Sequence, residues 1–96
     1  MRKITQDAIR AFYNRTPFKR GNTRVEVNEA NEARLLLHGN TIAYISDIKV
    51  LISNCGYFTS TTKERLNGLN GVSIVQRNFE WFLNGEKWNG GKIRIY

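Results

Sequence analysis

The sequence is short of the residues that carry most protein chemistry: its 96 positions hold one histidine, one cysteine and one proline. A lone cysteine, Cys55, excludes an internal disulfide and leaves no thiol cluster for zinc. A lone histidine, His38, beside a Gly-Asn pair, reads as a turn residue and not as part of a nucleophile–base pair. Asp7 and Asp47 stand far apart, and Glu26, Glu29 and Glu32 flank a strand and its turn without the spacing of a calcium loop. No apolar run approaches the roughly 18 residues of a membrane span, and Asp7 and Arg10 interrupt any signal-peptide core after Lys3. These absences predict a non-enzymatic intracellular protein with no cofactor, no metal and no membrane contact. With no repeat, linker or low-complexity tract, residues 1–96 read as a single small domain.

What is present is positive charge, unevenly placed. Fifteen Lys and Arg oppose eight Asp and Glu, for a net charge of +7. Residues 1–24 contain Arg2, Lys3, Arg10, Arg15, Lys19, Arg20 and Arg24 against Asp7 alone, whereas the remainder is nearly balanced. A local positive field of this kind attracts phosphates or acidic protein surfaces, although charge runs also serve simply to solvate a face.

The apolar pattern predicts an α+β fold. Thr5 reads as the N-cap of a first helix, with Asp7 in its first turn and Ile4 and Ile9 at staple spacing. Ala8, Ile9, Phe12 and Tyr13 form its apolar stripe, and Pro17 stops it near Asn14 or Arg15. Strands are predicted at 23–28, 34–38, 41–45 and 48–53, with a tight turn at His38-Gly39-Asn40. Thr61 and Glu64 have capping-box spacing for a short second helix that ends at Gly68. Three more strands follow at 72–76, 79–83 and 92–96, with Asn84-Gly85 as a type I′ hairpin signal. The order α-β-β-β-β-α-β-β-β gives an antiparallel β-meander of about seven short strands with the first helix packed on one face.

Two groups of residues suggest binding. Arg10, Arg15, Lys19, Arg20 and Arg24 gather around the first helix and the bend after it. Lys63 and Arg65, with Thr59, Ser60, Thr61 and Thr62 at the start of the second helix, could hold a phosphate, or Thr61 could merely cap that helix. Along the strand at 79–83, Phe79, Trp81 and Leu83 should share one face and Phe82 the other. Phe82 and Trp88 are the aromatics expected at the surface, Trp88 as an anchor for a partner.

The blocks Leu37-His38-Gly39-Asn40-Thr41-Ile42-Ala43, Thr61-Thr62-Lys63-Glu64-Arg65-Leu66-Asn67-Gly68, Gly71-Val72-Ser73-Ile74, Trp81-Phe82-Leu83-Asn84-Gly85 and Lys87-Trp88 resemble a family of small tailed-bacteriophage proteins with no assigned activity. The resemblance runs over about Leu37 to Trp88. It implies context and no catalytic residue: a phage accessory protein that works by binding in the cytoplasm of the bacterial host. Two functions follow as expectations. The first is binding of nucleic acid or a nucleoprotein complex through the basic N-terminal surface. The alternative is a protein-directed inhibitor, such as an anti-CRISPR or host-takeover factor, meeting an acidic host protein.

Overall fold

The computed structural model describes residues 2–96. Helix α1 (Lys3–Tyr13) is followed by strands β1 (Phe18–Arg20), β2 (Thr23–Val27), β3 (Ala33–Leu37), β4 (Asn40–Ser46) and β5 (Lys49–Ile52). Helix α2 (Ser60–Leu66) then leads to β6 (Ile74–Arg77), β7 (Glu80–Leu83), β8 (Glu86–Lys87) and β9 (Ile93–Arg94). The strands form two antiparallel sheets, one ordered β1-β2-β3-β4-β5-β9 and the other β6-β7-β8. The α+β class and helix positions agree with the sequence reading, but the single meander is divided. The additional strands, β1 and β8, are three and two residues long, too short for an alternating pattern to register.

Alternation on the longer strands builds the core. Val25, Ala33, Leu35, Leu37, Ala43, Ile45, Val50 and Ile52 turn to one face of the large sheet, where Ala8, Ile9 and Phe12 of α1 meet them. Ile74, Trp81, Leu83 and Trp88 of the small sheet and its flanks join the same cluster. Ile42 is the extra residue of a bulge, since Leu35 opposes Ala43 while Leu36 opposes Thr41.

Helix ends depart from prediction for local reasons. Helix α1 begins two residues before Thr5, and Arg2 at its N-cap makes no side-chain cap. Thr5 is buried within the first turns, and Asp7 lies beyond the first turn. At the other end Arg15 has φ +52. Its N–H donates to the Phe12 carbonyl, and that of Thr16 to Ala11. This is a Schellman closure with arginine where glycine is usual, and Pro17 follows it. Helix α2 is capped by Thr59, whose hydroxyl accepts from the Thr62 N–H at 3.1 Å, so the predicted Thr61–Glu64 capping box is not formed.

Gly68 is also corrected. It is not left-handed; a Cβ there would lie 2.8 Å from Ile9 Cγ1 and 2.9 Å from Thr5 Cγ2. The glycine lets the end of α2 touch α1. Gly68→Ala should therefore overpack this contact and destabilise the protein by about 1–3 kcal/mol in urea unfolding; a loss below about 0.5 kcal/mol would show that α1 moves aside freely.

Candidate nucleic-acid interface

The sequence-predicted cations separate into three places. Asp7 on α1 lies 3.3 Å from Lys3, 3.8 Å from Arg10 and 2.8 Å from Arg20. The Arg20 hydrogen bond holds its carboxyl below the usual carboxylate range despite some desolvation, with Lys3 adding to the effect. One carboxylate thus gathers three cations on the helix side of β1. Lys19 opposes Arg24 across the β1–β2 pair, so both lie on the opposite, outer face. The leading basic segment is therefore not one contiguous face: adjacent Lys19 and Arg20 point to opposite sides of a strand.

Arg15 is turned to structural use. Its Nη1 donates to the Tyr13 carbonyl at 3.0 Å and its Nη2 to the Asp47 carbonyl, tying the end of α1 to the β4–β5 turn. Lys63 is half-buried, donates to Gln76 Oε1 at 3.0 Å and lies 5.9 Å over the Trp81 ring.

Arg65 and Trp88 are corrections to the predicted contact surface. Trp88 is buried against Trp81, its indole N–H donating to the Gly91 carbonyl. Arg65 is 1% exposed. Its Nε donates to Thr23 Oγ1 at 3.1 Å and its Nη1 to Thr5 Oγ1 at 2.7 Å, with Glu64 Oε1 alongside. Thr5 in turn donates to Glu64, and the Arg2 N–H reaches the same carboxylate at 3.4 Å. Burial works against the Glu64 charge, but these donors outweigh it and hold its carboxyl below the ordinary value. Burial likewise lowers the Arg65 pKa, opposed by Glu64, and a guanidinium keeps its proton under such conditions. A side chain read as a phosphate contact is thus the internal brace of α1, β2 and α2. Phe79, predicted to share a face with Trp81 and Leu83, is also displaced: it sits in the β6–β7 turn and is exposed. Phe82 is half-buried, as expected.

The outer face of the six-stranded sheet has a composition that the linear charge map hides. Glu26 opposes Arg34, Arg34 opposes Tyr44, Tyr44 opposes Leu51, and Leu51 opposes Arg94. These five residues form one row across the sheet. Lys19 and Arg24 lie on the same face one row away, as does Lys49 beside Ser46. Five cations thus share a face with one strand carboxylate, Glu26, which lies 3.2 Å from Arg24 and 2.7 Å from Arg34. Helix α1 and the core occupy the other side. Arg34, Lys49 and Arg94 come from the part of the chain that is balanced by count; Arg34 and Lys49 stand next to buried residues on their strands, whereas Arg94 lies between the exposed Ile93 and the half-buried Ile95 and carries no such signal.

Glu32 sets the edge of this face. Its carboxylate accepts from Asn28 Nδ2 at 2.9 Å and Ser46 Oγ at 2.7 Å, while its N–H binds Asn28 Oδ1. Asn28, then Ser46 and the Tyr44 hydroxyl hold its pKa down at about 2.

A second concavity, about 280 Å³, lies between the β3–β4 turn and the start of α2 and is lined in part by His38, Asn54, Tyr57 and Thr62. Asn54 braces its wall: its Oδ1 accepts from the Gly56 N–H and its own N–H donates to the Gly90 carbonyl. His38 occupies a left-handed turn position, φ +51. Among the described residues no group of His, Cys, Asp and Glu side chains could hold a metal ion, and no helix is long and apolar enough to cross a membrane.

These features define a small α+β domain with an open, cationic sheet face. The chain belongs to the Kyanoviridae Gp96 protein family, a family of tailed cyanophages, whose model matches residues 1–94. The likeness to phage proteins therefore extends beyond residues 37–88 to the basic first helix. No curated protein and no solved structure matches the chain.

Two expectations follow. Arg65→Ala leaves Glu64, Thr5 and Thr23 without their buried partner, so unfolding free energy should fall by about 3–5 kcal/mol; a change within about ±0.5 kcal/mol would mean that the guanidinium braces nothing. Because the Glu32 pKa is depressed from 4.5 to about 2 on folding, its contribution is fully present above the unfolded value and is lost as pH falls through that window. Thermal melts between neutral pH and pH 2 should show an acid loss that shrinks in Glu32→Gln; identical acid profiles would contradict this.

Proposed function

We propose that the protein binds single-stranded nucleic acid on the outer face of its six-stranded sheet, without chemistry, as a phage accessory factor. The observation that carries this reading is the row Arg34–Tyr44–Leu51–Arg94, with Lys19, Arg24 and Lys49 around it. A flat sheet offers a stacking platform to unpaired bases, and cations on either side of a central aromatic meet the phosphates that flank a stacked base. Duplex recognition ordinarily sends a helix, ribbon or arm into a groove, and this surface is instead the open side of a six-stranded sheet. Of the cations read from the sequence, Lys19 and Arg24 belong to this surface. Arg10 and Arg20 continue the positive field around the β1 edge, whereas Arg15, Arg65 and Trp88 serve the fold.

The test is fluorescence anisotropy with labelled oligonucleotides of about 12 nucleotides, single-stranded DNA, single-stranded RNA and duplex, across a salt series. Single strands should bind more tightly than duplex. Arg34→Gln and Arg94→Gln should each reduce the slope of log affinity against log salt by about 0.7. Tyr44→Ala should cost about 1–3 kcal/mol of binding with little change in slope. Absence of binding at low salt, or affinities indifferent to all three substitutions, would overturn the reading.

A further inference from the structure

The concavity between the β3–β4 turn and the start of α2 contains a polar group that the fold leaves unused. Asn54 lines this concavity and is 1% exposed. Its Oδ1 accepts from the Gly56 N–H at 2.8 Å, which fixes the amide's orientation: the other end of the group must be the donor. Among the described residues that donor, Nδ2, has no hydrogen-bond partner. Gly90 does not account for it. A Cβ at position 90 would lie 2.2 Å from Nδ2 and 2.3 Å from both Cγ and Oδ1. The glycine therefore packs on the flat of the amide, whereas the N–H bonds run in the amide plane and pass it by. Arg15 Nε and Trp81 Nε1 are unpartnered too, but neither residue lines the concavity. A buried donor without an acceptor destabilises the fold until something supplies one.

The same lining holds a second donor. Thr59 Oγ1 and Thr62 Oγ1 lie 2.9 Å apart, and both residues border the concavity. Two hydroxyls joined by one hydrogen bond use one proton between them and keep the other for an outside acceptor. The rest of the lining narrows the ligand. Leu37 and Ile42 contribute apolar surface, and Tyr57, 53% exposed, contributes a ring on which a planar group can stack. No lining residue is Lys, Arg, Asp or Glu, so a charged group would enter without a counter-charge. At about 280 Å³ the space lies just under the roughly 300–1,000 Å³ of pockets for larger ligands, which suits a single ring. An uncharged, planar, single ring rich in acceptors describes uracil and thymine, each with two ring carbonyls. Cytosine carries an amine donor in place of one carbonyl and suits these donors less well.

We propose that this concavity binds a pyrimidine base of the uracil or thymine type, with a ring carbonyl accepting from Asn54 Nδ2 and the ring stacked on Tyr57. Such a base is supplied by a free nucleoside or by an unpaired position of a strand, and the test separates the two sources. None of the lining residues belongs to the row on the outer face of the large sheet, so either assignment can fail without the other.

The test follows the side-chain amide of Asn54 in heteronuclear NMR spectra of the nitrogen-labelled full chain. The probes are uridine, cytidine, and oligouridine and oligocytidine of about 12 nucleotides. The Asn54 amide should shift saturably with a uracil probe. A response to uridine assigns the site to a free nucleoside, and a response to oligouridine alone assigns it to a base within a strand. The matching cytosine probe should bind at least about tenfold more weakly. Arg34→Gln combined with Arg94→Gln should leave the uridine response unchanged, which separates this site from the sheet face. Tyr57→Ala removes an exposed ring without disturbing the fold and should weaken the responding probe by at least about tenfold. Asn54→Asp, followed at the Gly56 backbone amide, keeps the acceptor for the turn, replaces the donor and should weaken it at least as much. No saturable shift with either uracil probe, equal affinity for the uracil and cytosine forms, or unaltered affinity in Tyr57→Ala would each overturn the proposal, whether or not Asn54→Asp folds.

Discussion

The fold is organised around one buried cation. The Arg65 guanidinium reaches Thr23 on β2 and Thr5 on α1 while lying against its own neighbour Glu64 on α2. Three elements far apart in sequence therefore share a single charge-assisted hydrogen-bond network, in which each group satisfies another. Removing the guanidinium strands the buried hydroxyls of Thr5 and Thr23. The close approach of α2 to α1 at Gly68 follows from the same constraint, because the network must be short enough for direct hydrogen bonds. Glu64, placed by α2, also lies near the positive end of α1 and accepts from the Arg2 N–H, a role that local sequence would have given to a residue within α1 itself.

With that network fixing the helices on one side of the large sheet, the other side is left to polar and basic side chains. The division explains why charge along the chain and charge in space differ. The seven N-terminal cations do not act together, since β1 sends Lys19 outward and Arg20 back to Asp7. Meanwhile Arg34, Lys49 and Arg94, which are each offset by acidic residues in a linear count, are brought onto a common surface by strand register. Of the offsetting carboxylates, Glu64 turns inward and Glu80 ends in the hairpin, while Glu26 pairs with Arg24 and Arg34 on the face and Glu32 stays at its edge, bound by Asn28 and Ser46.

Much of the architecture was legible in the sequence because it rests on period. The stripe Ala8, Ile9, Phe12, the alternation of Val25 and Val27, and the Gly-containing turns at 38–39 and 84–85 depend on neighbours a few residues away. The features that could not be read depend on distant partners. Thr5 has the right chemistry for a helix cap, yet burial against Arg65 gave its hydroxyl a better partner. Arg65 and Lys63 look alike in sequence, and only the packing of α2 decides that one turns inward and the other stays half-buried. Trp88 carries no local sign of its burial beside Trp81. Phe79 was misplaced because an apolar residue next to an alternating run is naturally extended into the strand, whereas strand register makes it the corner of the turn.

The last strand has a consequence of its own. Strand β9 joins β5 through only two residue pairs, Leu51 with Arg94 and Ile52 with Ile93, reinforced by hydrogen bonds between Val50 and residues 95 and 96. Everything from 53 to 92 is looped out between them. Fraying of this short strand would lay bare the backbone of β5 without disturbing the Arg65 network, and a bare sheet margin is a template for strand exchange between molecules. Tyr96 counters that route by clasping the Tyr13 hydroxyl at 2.6 Å, so this exposed aromatic, which lies outside the packed interior, acts as a latch against intermolecular swapping.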